Sequence, residues 1–124
     1  MSETTIAFVD DLVRRFPNLG PLLDEHIRDF DVVLPHLFMA DLERYVGDLF
    51  RRSQTDIEDA AALRAEVKQI MDALEAGYAK GPDEIEELIS VSFLEHLSRP
   101  RVEPGWEIRA LVGPRMARQL KVIG

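Results

Sequence analysis

The chain has 124 residues, of which 46% are hydrophobic and 31% are charged, and its formal net charge is −8. This balance is typical of a globular protein and argues against intrinsic disorder, which combines low hydrophobicity with high charge. The sequence contains no cysteine, so disulfides, thiolate catalysis, zinc–thiolate sites and iron–sulfur clusters are excluded. The length favours a single domain over residues 1–124.

The charge is distributed unevenly along the chain. Residues 1–98 have a net charge of −12, whereas residues 99–124 have a net charge of +4. The acidic body repels nucleic acid and anionic lipid, so we expect neither nucleic acid nor a membrane as a partner. The basic tail either extends from the body or packs across it, in which case the Glu-rich helices at residues 24–31 or 83–87 could receive Arg115 or Arg118.

The N-terminal residues do not have the pattern of a targeting signal. They lack the basic start and the uninterrupted apolar stretch that a secretory signal needs. Elsewhere, no apolar run approaches the roughly 20 residues that a membrane span requires. We therefore expect a cytoplasmic protein.

Two stripes of apolar side chains at helical spacing begin the chain. The first predicts a helix over residues 3–16. The second predicts a shorter helix over residues 20–30, in which Leu23, Ile27 and Phe30 form the buried stripe. Acidic residues occupy the other faces of this second helix.

The two longest helices are predicted in the middle of the chain. Pro35 can open a helix over residues 35–52, because its fixed backbone torsion suits a first helical turn. A further stripe predicts a helix over residues 55–79. Thr55 and Glu58 have the spacing of a capping box, in which each side chain satisfies an otherwise free amide at the helix start.

The last third of the chain predicts shorter helices. Residues 82–97 fit a largely buried helix, although the apolar run at residues 88–94 taken alone is also typical of a strand. The tail fits two short helices broken at Gly113. We therefore predict an all-α fold, either a compact antiparallel bundle or an irregular stack of six to seven helices.

The sequence offers few groups for chemistry. His26, His36 and His96 lack the Glu-x-x-His and His-Glu-x-x-His spacings of helical metal sites, and each is more typical of a surface or capping residue. Ser90 and Ser92 lie in an apolar helix, where a hydroxyl usually bonds back to the backbone. No nucleophile elbow, phosphate loop or dinucleotide fingerprint is present. We expect no catalytic residue, metal site or cofactor, and thus not an enzyme.

Three segments carry a resemblance to known proteins. Residues 34–42 (LPHLFMADL), 87–97 (ELISVSFLEHL) and 111–114 (LVGP) resemble a group of small bacterial all-helical proteins of unknown function, which are similar to the immunity proteins of polymorphic toxin systems. The resemblance spans roughly residues 5–122, and its motifs are structural rather than catalytic. It implies a protein that binds one cognate toxin and blocks its active site.

The leading hypothesis is therefore a protein-binding domain, specifically an immunity protein that neutralises a cognate toxin. An acidic binder gains electrostatic steering toward a basic partner such as a nuclease. The candidate partner-binding residues are the acids of the short second helix and those at the start of the fifth helix: Asp24, Glu25, Asp29, Asp31, Asp83, Glu84 and Glu87.

The first alternative is a helical scaffold or adaptor, including a homodimerising module. This hypothesis predicts an exposed apolar patch that involves residues such as Trp106, Leu111 or Met116. The sequence contains nothing that excludes it.

The second alternative is a small-ligand binder or an enzyme. This hypothesis needs a pocket in which His36 or His96 meets a carboxylate and a hydroxyl group such as that of Tyr45 or Tyr78. The sequence does not place these side chains in one pocket.

Overall fold

A computed structural model describes residues 3–97 and 106–123. Across these residues the chain is helical without a strand, so the predicted all-α fold is confirmed. The helices are α1 (Glu3–Arg15), α2 (Gly20–Phe30), α3 (Pro35–Thr55), α4 (Ala60–Lys80), α5 (Asp83–Ser92) and α6 (Pro114–Ile123). Short 3-10 helices cover Pro17–Leu19, Leu94–His96 and Trp106–Leu111.

The two long helices α3 and α4 form the centre of the fold and pack most extensively on each other. α5 packs against α1, α3 and α4, and α6 packs against α4. The core between them consists of fully buried apolar side chains, each of which contributes about 1.5–3 kcal/mol when it leaves water. These include Met39, Leu42, Val46, Ile70, Met71, Leu74, Leu88 and Ile89. Among the described helices, none has the length and apolarity to cross a bilayer.

The ambiguous apolar run at residues 88–94 is helical. α5 continues through Ser92, and the backbone leaves the helix at Phe93, where φ is −120°. The run lacks alternation because α5 touches three other helices and buries more than one face. A helix surrounded on several sides is apolar around much of its circumference.

The junction between α3 and α4 differs from the sequence prediction. Thr55 is the last residue of α3, and its hydroxyl donates back to the carbonyl of Arg52 at 3.3 Å. The turn that follows is held by Asp56, whose carboxylate accepts a hydrogen bond from the backbone N–H of Asp59 at 3.3 Å. The predicted capping box of Thr55 and Glu58 is therefore wrong, because residues 53–55 extend α3 instead of starting α4.

The C-terminal segment docks on the body through its backbone. The Glu75 carboxylate on α4 accepts hydrogen bonds from the N–H groups of Arg115, at 3.2 Å, and Met116, at 3.0 Å. The acid that receives the tail is thus on α4, and within the described residues neither Arg115 nor Arg118 forms a side-chain ion pair. The apolar side chains that complete the core from this segment are Ile108, Val112, Met116 and Leu120. Met116 is buried, so the exposed patch predicted for a scaffold does not include it.

Candidate functional site

α2 contributes least to the hydrophobic core. Its buried residue is His26, and Leu22 packs at the edge of the core. Ile27 and Phe30, predicted to be buried, are instead 38% and 43% exposed. The predicted stripe is wrong because the face that carries His26 and Leu22 is turned inward.

Exposed apolar side chains concentrate where α2 meets α3. Val32 is 50% exposed and Leu37 is 47% exposed, and both follow the exposed residues of α2 closely in the sequence. Four of the eight large exposed apolar residues described thus fall within residues 27–37. We call Ile27, Phe30, Val32 and Leu37 the corner patch.

His26 joins α2 to the start of α3. Its Nε2 atom accepts a hydrogen bond from the backbone N–H of Leu34 at 2.9 Å. The imidazole lies between the rings of Phe30 and Phe38, with centroids 5.0 Å and 5.9 Å away. With 2% of its surface exposed, His26 is not a surface residue; of the two predicted roles, surface or capping, its bond to the N-cap residue Leu34 fits the second.

The second ring nitrogen of His26 lacks a hydrogen-bond partner. Because Nε2 accepts, a neutral imidazole carries its proton on Nδ1. The Nδ1 atom is buried and unpartnered, and the nearest acceptor, Oδ2 of Asp41, is 3.7 Å away, beyond hydrogen-bond length. The other oxygen of Asp41 pairs with Arg44.

A cleft of about 390 Å³ lies between α2 and α3. Four carboxylates line it, and Arg44 is the one basic side chain among the lining residues. We call this site the acidic cleft; it is lined by Leu22, Glu25, His26, Asp29, Asp41, Arg44, Tyr45 and Asp48.

Two of the four carboxylates that line the acidic cleft form ion pairs. Asp48 pairs with Arg51 at 3.0 Å, and Asp41 pairs with Arg44. Glu25 and Asp29, which project from α2, form no ion pair within the described part of the chain. The α2 wall of the cleft therefore carries negative charge that the protein itself does not neutralise.

Tyr45 closes one side of the cleft. Its hydroxyl donates to Oε2 of Glu66 at 2.5 Å. Burial raises the pKa of Tyr45, and the hydrogen bond and charge of Glu66 raise it further. The phenol therefore stays protonated and fixed to α4 at neutral pH.

The seven predicted partner-binding acids are all exposed but lie on two helices. Four follow α2 to its C-cap, where Asp31 adopts a left-handed backbone with φ of 63°. Asp83, Glu84 and Glu87 lie in the first half of α5. Because α2 and α5 do not pack closely on each other, the structure does not join the two sets into one surface.

Sequence reasoning missed several members of this site. Asp41 and Asp48 come from α3, and their approach to α2 depends on the tertiary packing of the two helices. A signal was nevertheless available for the corner patch, because Val32 and Leu37 are apolar residues outside the predicted buried stripes.

His36, one of the side chains named in the enzyme hypothesis, meets the hydroxyl group of Ser92. His36 Nδ1 lies 2.5 Å from the hydroxyl of Ser92, so this hydroxyl bonds to another helix and not to its own backbone. Ser92 is buried at the end of α5, away from the residues that line the acidic cleft. Ser90 likewise accepts a hydrogen bond from Gln119 at 3.0 Å. These serines connect helices, which is a structural role.

A wider groove of about 760 Å³ runs between α1 and the end of α4. Its floor includes Phe8, packed over the bare backbone of Gly77, and its rim includes Arg14, Arg15 and Lys80. No unpartnered buried polar atom lines this groove among the described residues. The acidic cleft is therefore the more specific candidate.

The sequence of the chain matches a known protein family. Residues 9–121 match the family described as "Domain of unknown function (DUF7674)". The chain belongs to this family. The match includes both walls of the acidic cleft and the whole corner patch, so these features lie within the family's domain. No curated protein and no solved structure matches the chain.

Proposed function

We propose that this chain is a protein-binding domain, and that its binding surface consists of the corner patch and the acids beside it. The observation that carries the proposal is the exposed apolar stripe of α2, a face that helices normally bury. Exposed apolar patches with polar rims are typical of protein interaction sites.

The charge of this surface favours a different protein over a second copy. In a symmetric dimer the same patch meets itself, so the acids of one copy approach the acids of the other. Asp24, Glu25, Asp29 and Asp31 would then repel one another across the interface, and juxtaposed like charges oppose association. A partner with an apolar centre and basic flanks fits the surface better.

The specific form that we propose is an immunity-like inhibitor of a cognate bacterial toxin. The segment 34–42, which carries part of the resemblance to such proteins, contributes Leu37 to the corner patch and Asp41 to the acidic cleft. Many toxins are basic, and an acidic face accelerates their capture through long-range attraction. The inhibitor would act by covering the toxin's active site.

Co-purification with the product of the adjacent gene tests this proposal. The double substitution Ile27→Ser, Phe30→Ser should weaken binding at least about tenfold, because it removes two central apolar contacts. Ile57→Ser is the matched control: Ile57 is 92% exposed and follows the C-terminal end of α3, whereas Leu37 of the patch is at its N-terminal end. It should bind as the unaltered chain does.

Growth of cells that express the adjacent gene product provides the functional measurement. The unaltered chain and Ile57→Ser should restore growth, whereas the double variant should not. Absence of both binding and rescue would refute the immunity form. If sedimentation instead detects a dimer that the double variant converts to a monomer, the homodimeric scaffold replaces our proposal.

A further inference from the structure

A hydrogen bond across the connector joins α2 to α3. The backbone N–H of Leu34 donates to Nε2 of His26 at 2.9 Å. His26 is the buried residue of α2, and Leu34 is the N-cap residue of α3, so the bond holds the end of one helix against the start of the next. An imidazole nitrogen accepts a hydrogen bond only while it carries no proton. The bond therefore requires a neutral Nε2.

Three features lower the stability of this closed arrangement. The Nδ1–H group of His26 is buried without an acceptor among the described residues, and an unpartnered buried donor costs free energy. Asp31 in the connector has a φ of 63°, a left-handed backbone that is unfavourable for a residue with a side chain. Ile27 and Phe30 leave much of the apolar face of α2 in water. Segments with few buried apolar contacts open at the lowest cost in free energy.

A proton on Nε2 is incompatible with the closed arrangement. The imidazolium ion donates from both ring nitrogens, so its new Nε2–H would point at the N–H of Leu34, and two donors do not form a hydrogen bond. On the other side of the ring, Nδ1–H still faces the carboxylate of Asp41, whose Oδ2 atom is 3.7 Å away. Protonation thus opposes the bond to Leu34 and favours the approach of Asp41.

The charges around the ring are favourable for an imidazolium ion. The ionisable side chains that line the acidic cleft with His26 are Glu25 and Asp29 on α2 and Asp41, Arg44, Tyr45 and Asp48 on α3. Carboxylates outnumber the single guanidinium, and the phenol of Tyr45 is neutral. A positive ring is therefore attracted to its surroundings, whereas its proton on Nε2 displaces the backbone of Leu34.

We propose that His26 is a pH-sensitive latch, which holds α2 against α3 while the imidazole is neutral and releases the connector when Nε2 takes up a proton from solvent. In the open form, the N–H of Leu34 and the new Nε2–H both bond to water. Histidine is the side chain that in its unperturbed form changes charge between pH 8 and pH 5. The latch therefore responds to mild acidification.

Opening of the latch changes the corner patch. Ile27 and Phe30 lie on α2, whereas Leu37 lies on α3, so release of the connector separates the two parts of the patch. The ring of Phe30 also loses its packing against the imidazole, whose centroid lies 5.0 Å away. The latch does not depend on the proposed protein-binding function, but its effect on a partner rests on that function.

Nuclear magnetic resonance of the full chain between pH 8 and pH 5 tests the latch. The imidazole nitrogen signals of His26 report its protonation, and hydrogen exchange of the Leu34 amide, corrected for the intrinsic pH dependence of exchange, reports the bond. Protection of the Leu34 amide should fall as His26 becomes charged, by at most tenfold per pH unit because one proton is taken up. The amides of Ile70 and Leu74, buried in α4, should keep their protection.

Two substitutions form a matched pair. His26→Gln retains a side-chain acceptor but does not titrate, so protection of the Leu34 amide should stay constant over the same pH range. His96→Gln makes the same change at an exposed position and should leave the pH dependence of Leu34 as it is in the unaltered chain. If His26→Gln does not fold, the unaltered chain still decides, because the signals of His26 and Leu34 should titrate with one common midpoint.

An unchanged Leu34 amide while His26 becomes charged would refute the latch. It would also be refuted by a loss of protection that includes Ile70 at the same pH, since this is general acid unfolding, or by equal pH dependence in His26→Gln. These results do not depend on the partner experiment. If the latch titrates as described but capture of the partner does not depend on Phe30, the latch stands and the proposed function does not; the opposite pair of results leaves the function without the latch.

Discussion

The side chain of Glu75 occupies the space that a Cβ atom on Gly113 would need, since such an atom would lie 2.4 Å from Cγ of Glu75. Gly113 precedes α6, and its carbonyl accepts the first bond of that helix from the N–H of Ala117 at 2.9 Å. A glycine at this position cannot cap the helix with its own side chain, so Glu75 from α4 does so instead.

Removal of this carboxylate should loosen the C-terminal segment. Glu75→Ala leaves two amides of α6 without their acceptor, and the loss of a capping group lowers the free energy of unfolding by about 1–2 kcal/mol. This loss of stability can be measured by urea unfolding followed by the fluorescence of Trp106, the single tryptophan. The control is Asp72→Ala, which removes an exposed ion pair with Lys68 and should cost about 0.5 kcal/mol or less.

Gly113 and Glu75 should behave as a coupled pair. In Gly113→Ala the new methyl group displaces the carboxylate, so the loss of stability should resemble that of Glu75→Ala. The double variant should be less destabilised than the sum of the two, because the cap can be lost only once. Strict additivity in a double-mutant cycle would contradict the steric relationship.

His26 should contribute more strongly to stability than His96. His26→Ala removes the acceptor of the Leu34 N–H and leaves a cavity beside Phe38, and these two effects together cost about 2–4 kcal/mol. His96→Ala alters an exposed side chain and should change stability by less than about 0.5 kcal/mol. Thermal or urea unfolding compares the two, and equal effects would refute the described role of His26.

Tyr45 should make the protein sensitive to alkaline pH. Its pKa is raised in the folded state, so the stabilisation is complete below the ordinary tyrosine pKa of about 10 and decreases as pH rises above it. The slope is at most about 1.4 kcal/mol per pH unit, and is smaller here because Tyr45 is partly exposed. Tyr45→Phe should reduce this slope in urea unfolding between neutral and alkaline pH.

Tyr78 provides the comparison for that measurement. Burial and the charges of Glu86 and Glu75 also raise the pKa of Tyr78, so some alkaline destabilisation should persist in Tyr45→Phe and be further reduced in the double variant. Absorbance at the tyrosinate wavelength should show the chain's two tyrosines ionising above their usual range. Ionisation of Tyr45 at an ordinary pKa in the folded chain would contradict its bond to Glu66.

For the junction of α3 and α4, the sequence pattern and the structure predict different losses of stability. A true capping box would lose about 1 kcal/mol when its threonine or glutamate becomes alanine. In the structure Thr55 ends α3 and Glu58 caps nothing in the described residues, so Thr55→Ala and Glu58→Ala should each cost less than about 0.5 kcal/mol. Urea unfolding distinguishes the two expectations.

Local patterns were sufficient to predict most of the fold. The stripe of α3, from Phe38 to Phe50, is buried as its spacing indicates, because a long helix at the centre of a small protein has neighbours on its apolar face. The same reasoning failed for α2, where Ile27 and Phe30 have the correct spacing but remain 38% and 43% exposed. Periodicity predicts which residues share a face, but it does not show whether anything covers that face.

The candidate site depended on contacts that no local pattern contains. Glu25 and Asp29 were identified from their charge, but the wall opposite them, formed by Asp41 and Asp48, required α2 to pack on α3. The role of His26 depends on a backbone amide eight residues away. Such pairings are set by the tertiary fold, which the spacing of residues along one helix does not determine.

The docked C-terminal segment constrains the order in which the chain can become native during synthesis. Glu75 leaves the ribosome about forty residues before the amides that it caps, and until then the surface that later receives Met116 and Leu120 faces water. A nascent chain that has reached only residue 97 thus exposes part of its core, a state in which chains are prone to aggregate. The proposed binding surface at α2 and α3 is thus synthesised before the C-terminal segment covers this part of the core.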